Sequence, residues 1–538
     1  MRHGENSSGG NHPEEMSGSS GSGGADTAKA GAGSGGAATT AGAGSGGLGE
    51  LGGLGTGGST GGADSGGTTG ASGATQGGQS GAPPGGTAGN GAGGLGSAGR
   101  SGSAGAPAGT AGMDPGEPCA LPRDDCDRNA TCRRVDGVDT CVCNADFYWD
   151  GVRCDGPRAA AAVSVGTSHT CAIIGSGRVR CWGYASNNAL GTGDSEENDI
   201  GDDEPASAAP LVDLTEPVRG VAAGDLFTCV LLMSGDVRCW GYGGDGELGT
   251  GEAYDSIDPA TVPNADLGGK AVALSTVSRH ACALLEDGAV RCWGTNNGQL
   301  GYGTDESGAL LTPAMCGDVD LEGPAVQIAT SDSASCAVLE SGVLTCWGYV
   351  PGLAERVGDD ETPRVAGIMD VGTTVKSVTL GYKHACVVTS DDNVRCWGAN
   401  DQAQLGYNIF SEPLSLVQMR DRGDVNVGGP VKQVVAGDRF TCALLMTGAV
   451  RCWGYFGGWA YGSYDTIGDN EDPADAGDAP LGGPVTSLSA GGSHLCALMQ
   501  SGGVRCFGSA GHGVLGYGNL NEIGDDETPA SIGDVPLF

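Results

Sequence analysis

Seven pairs of cysteines, the two members of each pair ten residues apart, constrain the fold of this chain more than any other feature of its sequence. The third pair lies in CALLEDGAVRCWG, which begins at Cys282, and six other segments have the same form, with Phe507 replacing the tryptophan only in the last. Successive first cysteines are 58, 53, 54, 50, 56 and 54 residues apart. This regular spacing indicates one structural unit that is repeated seven times.

The midpoint between paired cysteines has the residues of a tight turn. It is Ser, Asp or Thr in every repeat, and Gly follows it in six of the seven. The flanks are aliphatic or β-branched, which favours a hairpin of two short strands. Cysteines equidistant from such a turn face each other with Cα atoms roughly 4.5 to 5.5 Å apart, and a disulfide tolerates this distance. The predicted disulfides are Cys171–Cys181, Cys229–Cys239, Cys282–Cys292, Cys336–Cys346, Cys386–Cys396, Cys442–Cys452 and Cys496–Cys506.

Further extended segments flank each hairpin. A short apolar stretch such as VKQVVAGDRFTC precedes it, and a glycine-rich loop and a segment such as DDETPRVAG follow it. About four short strands per repeat make up one blade of a β-propeller. The sequence therefore predicts an all-β fold, a seven-bladed propeller with disulfide-linked hairpins.

The repeat resembles that of the regulator of chromosome condensation family. Its pattern reads G-x-x-H-[TS]-C-A-L, then G-x-V-x-C-W-G, then N-x-x-G-Q-L-G-x-G, and it covers residues 158–538. Residues that fit the pattern in the first, third and fifth repeats are Gly166, His169, Trp182, Gly183, His280, Trp293, Gly298, Gln299, Leu300, Gly301, His384, Trp397, Gln404 and Leu405. The resemblance implies a seven-bladed propeller. The paired cysteines depart from the family's usual residues and favour an oxidising compartment.

Two regions precede the propeller. Residues 1–113 consist almost entirely of Gly, Ser, Ala and Thr and contain no Cys, Trp, Tyr or Phe, so we predict a disordered tether. In residues 114–157, six cysteines with gaps of 6, 5, 8, 1 and 10 residues resemble an EGF-like domain. That resemblance implies the disulfides Cys119–Cys132, Cys126–Cys141 and Cys143–Cys154.

Charge and hydropathy restrict the partners and the location. The residues after 113 hold 24 basic and 59 acidic side chains, a net charge of about −35, which repels nucleic acids and anionic membranes. No apolar run reaches the roughly 18 residues of a transmembrane helix. The cysteines predict an extracellular or cell-surface protein, and because MRHGENSSGGNHPEE lacks the apolar segment of a signal peptide, we expect a signal or lipid-anchor sequence upstream of it.

Aromatic residues crowd the loop of the sixth repeat, which reads YFGGWAYGSY where the third reads TNNGQLGYGT. Aligned on Gly298 and Gly458, Trp459 takes the place of Gln299. One interpretation is that Trp459 folds inward to fill the vacant slot. The other is that exposed aromatic side chains anchor a ligand, and on this hypothesis the binding residues are Tyr455, Phe456, Trp459, Tyr461 and Tyr464.

For the other candidate sites, a purely structural role is the alternative to a function in binding or cross-linking. Grouped carboxylates in loops are ligands that calcium prefers, although such loops are often only solvated, and the calcium candidates are Asp202, Asp203, Asp359, Asp360, Asp525 and Asp526. Without calcium, we predict no cofactor. Cys316 has no partner by spacing and is either a buried free thiol or a bridge to another chain. The repeated histidines share a position with Phe and Ala, which indicates packing or hydrogen bonding rather than metal ligation.

The sequence contains no H-E-x-x-H motif, no phosphate-binding loop and no G-x-S-x-G in the folded region. We therefore predict an interaction or scaffold protein, secreted or tethered to the cell surface, that binds a protein or glycan ligand through loops on a propeller face. The alternative is an extracellular hydrolase or lyase with its site on a propeller face.

Overall fold

Each of the seven repeats folds into a three-stranded antiparallel sheet that forms one blade of a propeller, so the predicted all-β, seven-bladed architecture is confirmed. Blades are numbered 1 to 7 along the chain. The first strands, nearest the axis, are β5 (Ala160–Val165), β8 (Val218–Ala223), β11 (Ala271–Val277), β14 (Ala325–Thr330), β17 (Val375–Leu380), β20 (Val431–Ala436) and β23 (Val485–Ala490). The second strands are β6 (His169–Ile174), β9 (Phe227–Leu232), β12 (His280–Leu285), β15 (Ala334–Leu339), β18 (His384–Thr389), β21 (Phe440–Leu445) and β24 (His494–Met499). The third strands are β7 (Arg178–Gly183), β10 (Val237–Gly241), β13 (Val290–Gly294), β16 (Leu344–Gly348), β19 (Val394–Gly398), β22 (Val450–Gly454) and β25 (Val504–Gly508).

The structure is a computed structural model that describes residues 159–193, 198–254, 256–305, 311–455 and 457–538, and the backbone of four strands before them. These strands are β1 (Ala130–Val135), β2 (Val138–Cys143), β3 (Phe147–Trp149) and β4 (Cys154–Pro157). β1 pairs with β2 and β3 with β4, both antiparallel. The predicted tether, residues 1–113, lies outside the part of the chain that is described, and so do the side chains of the predicted disulfides Cys119–Cys132, Cys126–Cys141 and Cys143–Cys154.

The prediction of four strands per repeat is wrong in one respect. The segment after the third strand pairs with it only by isolated bridges, such as Ile200 with Gly183 and Val357 with Gly348. Short helices follow in some blades: α1 (Pro313–Cys316), α2 (Pro363–Ala366), α3 (Leu416–Arg422) and α4 (Pro529–Ile532), with 3-10 turns at Ser186–Asn188, Ala206–Ala208, Gly457–Tyr461 and Gly511–Gly513. None of the helices in the described residues has the length and apolarity that crossing a membrane requires.

Every blade has the disulfide that the cysteine spacing predicts. The paired cysteines lie directly opposite each other in the hairpin, with Cα atoms 4.0 or 4.1 Å apart. The residue after the turn midpoint has a positive φ in every blade, for example +85° at Gly288. Asp392 takes this conformation, at +63°, in the one repeat that lacks the glycine. Local turn chemistry therefore sets the strand register, and the register brings the sulfur atoms together.

The tryptophan of the third strand ties its blade to the preceding blade. Trp293 Nε1 donates a 2.8 Å hydrogen bond to the carbonyl of Glu247, which lies in the glycine-rich turn after the third strand of blade 2. The same bond is made by Trp182, Trp240, Trp347 and Trp453. A buried indole N–H needs an acceptor. The bond therefore requires each of these turns to place a carbonyl at the blade boundary.

The repeated histidines also join neighbouring blades. His384 Nε2 lies 2.8 Å from the Thr441 hydroxyl of the next blade, and that hydroxyl donates to the carbonyl of Gln404 at 2.8 Å. Equivalent contacts are made by His169, His280 and His494. Burial lowers the pKa of His384 to about 4, as it does for His169 and His280, while that of His494 falls to about 3. The histidines are therefore neutral hydrogen-bonding groups at pH 7, which agrees with the interpretation of their position as structural.

Blade 7 closes the ring on blade 1 by the contacts that join the other blades. Trp182 Nε1 donates to the carbonyl of Val514 at 2.9 Å, and the backbone N–H of Ala160 donates to the carbonyl of Gly502 at 2.8 Å. Arg180 donates to the carbonyl of Leu537 at 2.7 Å. The sheet of each blade consists of three consecutive strands, so these blades meet without exchange of a strand.

Candidate binding face around the propeller axis

A cavity of about 250 Å³ opens at the propeller axis, where the turns between the first and second strands of all seven blades meet. The second residue of this turn is aspartate in blades 2, 4 and 6, namely Asp225, Asp332 and Asp438. Blade 5 contributes Tyr382 at the same position. We call this space the axial cavity; three carboxyl groups line it from alternate blades.

The carboxyl groups of the axial cavity affect one another. The surrounding turns partly desolvate Asp225 and Asp438, which raises the pKa of both groups, and the negative charge of Asp332 raises both further. The Ser168 hydroxyl, which donates to Asp225 at 3.3 Å, and the positive charge of Arg279 oppose the shift of Asp225, and the positive charge of Arg439 opposes that of Asp438. Because like charges repel across the cavity, a cation that enters it is favoured electrostatically.

A tyrosine follows the Trp-Gly pair in each of the three blades that carry an axial aspartate. These residues are Tyr242, Tyr349 and Tyr455, and their backbone N–H groups donate to the carbonyl of the residue after the aspartate at 2.9, 2.8 and 3.0 Å. Tyr349 is 56% exposed and Tyr455 is 38% exposed. The loop that begins at each tyrosine and the turn that carries the aspartate thus form one surface. We call the axial cavity together with Tyr349, Tyr382 and Tyr455 the axial face.

A second cavity of about 390 Å³ adjoins the axial cavity between blades 4 and 5, and we call it the blade-4 pocket. Asp332 and Tyr382 line both spaces. The remaining walls come mainly from residues 349–356, which replace the glycine-rich turn of the sister blades. Tyr349, Leu353 and Tyr382 are 56, 37 and 50% exposed there. The blade-4 pocket therefore has both acidic and aromatic walls, and most of these walls come from the segment in which blade 4 departs from the repeat.

Two cations of the protein lie against the tyrosines of this pocket. Lys383 Nζ is 5.1 Å from the ring centroid of Tyr382, and Arg356 Cζ is 5.4 Å from that of Tyr349. Arg356 also pairs with Asp359 at 2.6 Å, which compensates its charge. Lys383 forms no ion pair within the described residues. The rings are thus suited to cations, and one of them is covered only by an unpaired lysine.

The structure separates the five aromatic residues that were predicted to bind a ligand. Trp459 is only 4% exposed, and the half-buried Tyr461 uses its hydroxyl to hydrogen-bond two backbone groups. Tyr455 is on the axial face, and Tyr464 is 58% exposed with its hydroxyl 3.0 Å from Asp525. Phe456 lies outside the described residues. Ligand binding by this loop stays a prediction, and its exposed members are the residues that can take part.

The carbonyl of Trp459 contacts the next blade where the carbonyl of Gly298 does, although the sequence alignment places Trp459 at Gln299. A Cβ on Gly358 would approach the carbonyl of Gly298, and a Cβ on Gly524 would approach that of Trp459 in the same way. Tyr461 makes the same hydrogen bonds as Tyr302, and the loop of blade 6 is one residue shorter between Trp453 and Tyr461 than the loop of blade 3 between Trp293 and Tyr302. Sequence alignment alone could not place that deletion, because it depends on contacts with the next blade.

The acidic loops dock on the preceding blade through their first glycine. Gly358 has φ +93°, and a Cβ there would lie 2.5 Å from the carbonyl oxygen of Gly298. Beyond that glycine, carboxylate oxygens lie within 4.8 Å of one another in three loops, Asp202-Asp203-Glu204, Asp359-Asp360-Glu361 and Asp525-Asp526-Glu527. Burial, a hydrogen bond with Asp203 and the neighbouring charges raise the pKa of Glu204 to about 7. Calcium binding by these loops stays a prediction.

Cys316 is the free cysteine of the described residues and lies half-buried at the end of α1. Burial raises the pKa of its thiol, which lowers its reactivity. A bridge from Cys316 to another chain stays a prediction.

The axial aspartates and the blade-4 pocket were missed by the sequence analysis. Their signals are present in the repeats: aspartate stands two residues before the second strand of blades 2, 4 and 6, and YVPGLAER replaces the N-x-x-G-Q-L-G pattern in blade 4. Neither signal identifies a site by itself. The circular arrangement brings together turns that are fifty or more residues apart in the chain.

Five blades match the model of the regulator of chromosome condensation (RCC1) repeat, over residues 218–247, 271–299, 375–404, 431–457 and 485–514. Five of the seven blades therefore contain RCC1 repeats. Residues 119–154 match the model of the EGF domain, so the predicted EGF-like domain is confirmed as well.

Known proteins share the repeats at low identity. Ultraviolet-B receptor UVR8 of Arabidopsis thaliana is 26% identical over 371 residues, which cover 67% of this chain and 80% of the receptor. E3 ubiquitin-protein ligase HERC2 of Homo sapiens is 29% identical over 297 residues, which cover 52% of this chain but only 6% of the ligase. The crystal structure of human WBSCR16 has a TM-score of 0.51 at 21% identity and covers 65% of this chain and 92% of that structure. This structural likeness shows the fold.

Proposed function

We propose that the chain is an extracellular interaction protein whose RCC1-repeat propeller binds a protein ligand on the axial face. The observation that carries the proposal is the axial face itself, where Tyr349 and Tyr382 are 56 and 50% exposed beside a cavity lined by three carboxyl groups. Exposed aromatic side chains within a polar surround are typical anchors of protein interfaces.

The disulfides support an extracellular location. All seven hairpins of the propeller are disulfide-linked, and an EGF domain precedes them. Structural disulfides are rare in reducing compartments, and EGF domains are typical of secreted proteins. Attachment to a cell surface through the N-terminal region, residues 1–113, is part of the proposal.

The blade contacts support a binding role for the axial face. The turns that carry Asp332 and Tyr382 connect strands whose cysteines are disulfide-linked and whose neighbouring blades are joined by buried hydrogen bonds. A surface that is ordered before binding loses little conformational entropy when a ligand arrives. The propeller is therefore a suitable support for recognition by short turns.

The test uses the full chain with its disulfides intact, immobilised and exposed to a displayed library of short peptides and to a glycan array. We expect saturable binding to peptides, and we expect the double variant Tyr349→Ala plus Tyr455→Ala to abolish it. The matched control is Met233→Ala plus Met446→Ala, because these side chains are 59 and 53% exposed beside the hairpin turns at the other end of the strands.

Other outcomes would change the proposal. Binding to glycans alone would replace the protein ligand by a carbohydrate. Release of cleaved products from the array would favour the alternative, a hydrolase or lyase. Equal loss of binding in the methionine control variant would place the binding surface elsewhere.

A further inference from the structure

We infer that the axial face recognises a positively charged peptide segment, with a Lys or Arg side chain against Asp332 in the axial cavity and an adjacent apolar side chain in the blade-4 pocket. The inference rests on the proposed function and names the class of its partner. Asp332 lines both spaces, so one bound segment contacts both.

Charge complementarity favours a cationic occupant. The chain has a formal net charge of −38, and Asp225, Asp332 and Asp438 line one cavity of about 250 Å³. A cation placed among these groups relieves the repulsion between them. An anionic ligand would add to that repulsion, and an anionic lipid surface or nucleic acid would do so over a larger area.

The walls of the blade-4 pocket favour an apolar side chain next to that cation. Tyr349, Leu353 and Tyr382 are all exposed there, at 56, 37 and 50%. The rings also accept cations on their faces, as Lys383 shows at 5.1 Å from Tyr382. Lys383 is the protein's own occupant of this site, and a peptide cation competes with it for the Tyr382 ring.

An unpaired buried donor lies behind the same pocket. Trp397 is fully buried, and its Nε1 has no hydrogen-bond partner within the described residues. A Cβ on Gly352, a residue of the pocket wall, would lie 3.0 Å from Trp397 Cδ1. The blade-4 loop does not supply the carbonyl to which the sister tryptophans donate. A buried N–H group without an acceptor is costly, so the protein retains the blade-4 loop, which leaves Trp397 without its acceptor, at a cost in stability.

Comparison with blade 6 shows that a blade can lose the glycine-rich turn without leaving an unpaired tryptophan in the next blade. Its loop also departs from the repeat, and the following blade carries Phe507 in place of tryptophan, a side chain that needs no acceptor. Blade 5 follows the other irregular loop and retains Trp397. The boundary between blades 6 and 7 therefore has no tryptophan N–H that needs an acceptor. The boundary between blades 4 and 5, which holds the pocket, keeps the tryptophan but lacks the acceptor.

The experiment begins with a displayed library of random short peptides, panned at low ionic strength on the full chain with its disulfides intact. We expect the selected peptides to be enriched in Lys or Arg next to an aromatic or aliphatic residue. A synthetic peptide of the selected sequence then serves as the probe for affinity measurements on variants. We expect its affinity to fall as salt is added, because charges at a surface are screened.

The variants have effects of opposite sign. Asp332→Asn should lower the affinity for the peptide about fivefold, and Tyr382→Ala should lower it by a similar factor. Lys383→Gln should raise the affinity, because it removes a positive charge that repels the cationic peptide and leaves the Tyr382 ring free for that peptide. The matched controls are Asp391→Asn and Lys376→Gln, which make the same charge changes near the hairpin turn of blade 5 and should leave the affinity unchanged. Melting temperatures near that of the wild type confirm that each variant folds.

Selected peptides without an excess of Lys or Arg would overturn the inference, as would unchanged affinity in Asp332→Asn. In either case the proposed function stands if Tyr349→Ala plus Tyr455→Ala still abolishes binding. If neither peptides nor glycans bind the wild-type chain, both the inference and the proposed function fail.

Discussion

Replacing Glu247 by glutamine should stabilise the propeller at alkaline pH and have little effect at acidic pH. Glu247 is fully buried in the turn of blade 2, where blades 3 and 5 have Gln299 and Gln404. In all three blades a side-chain oxygen accepts a hydrogen bond from the backbone N–H two residues earlier, at 2.9 Å for Glu247. A second oxygen of Glu247 is buried without a partner among the described residues.

The magnitude follows from the pKa of this carboxyl group. Burial is the main reason that the pKa of Glu247 rises from 4.5 to about 7. The unfolded chain loses this proton near pH 4.5 and the folded protein only near pH 7, so the folded state binds more protons in this window and stability falls as the pH rises through it. At about 1.4 kcal/mol per pKa unit, ionised Glu247 costs the folded state roughly 3 kcal/mol of stability above pH 7. Partial access of water reduces this loss to about 2 kcal/mol.

The assay is thermal unfolding of the full chain at pH 5 and pH 8. We expect Glu247→Gln to raise the melting temperature by about 2 to 4 °C at pH 8 and to change it little at pH 5. Gln299→Glu is the mirror variant, which places the same carboxyl group in blade 3 and should lower the melting temperature mainly at pH 8. An equal shift at both pH values in either variant would refute the argument, because it would show that the carboxyl group does not titrate in this range.

The double variant Cys336→Ala plus Cys346→Ala should lose about 2 to 3 kcal/mol of stability and become insensitive to reductant in blade 4, as measured by unfolding and thiol labelling. His384→Phe should reduce the loss of stability on acidification by up to about 1.4 kcal/mol per pH unit between pH 6.5 and 4, because the buried neutral histidine takes up its proton only in the unfolded state. Gly358→Ala should destabilise by about 1 to 3 kcal/mol more than Gly367→Ala, since both glycines have φ near +95° but only Gly358 lies against a backbone carbonyl. EDTA should change the melting temperature little, and a large fall would show that the acidic loops bind calcium.

The sequence could predict the local geometry of each blade because that geometry depends on contacts within about ten residues. A turn residue at the midpoint and cysteines equidistant from it set the register of the hairpin, and the structure has that register in all seven blades. Seven repeats likewise predicted seven blades, since each unit must bury its faces against its neighbours. The fourth strand was predicted wrongly because an extended segment was taken as a paired one.

The candidate site could not be predicted in this way. Asp225, Asp332 and Asp438 belong to separate repeats, and only the closure of the ring brings their turns around one cavity. Loop lengths also act across blade boundaries: the shorter loop of blade 6 turns Trp459 inward, where the sequence allowed it to face either way.

The sequence by itself therefore determined the repeat, the hairpin disulfides and the compartment that these disulfides favour. The tertiary structure alone decided which side chains share a surface and which donors lose their acceptors. Trp397 looks like its sisters in the sequence, and its N–H group is unpaired only because the preceding blade supplies a different loop. The physical reason is that hairpin geometry is local, whereas the axial face arises from packing between residues that are distant in the chain.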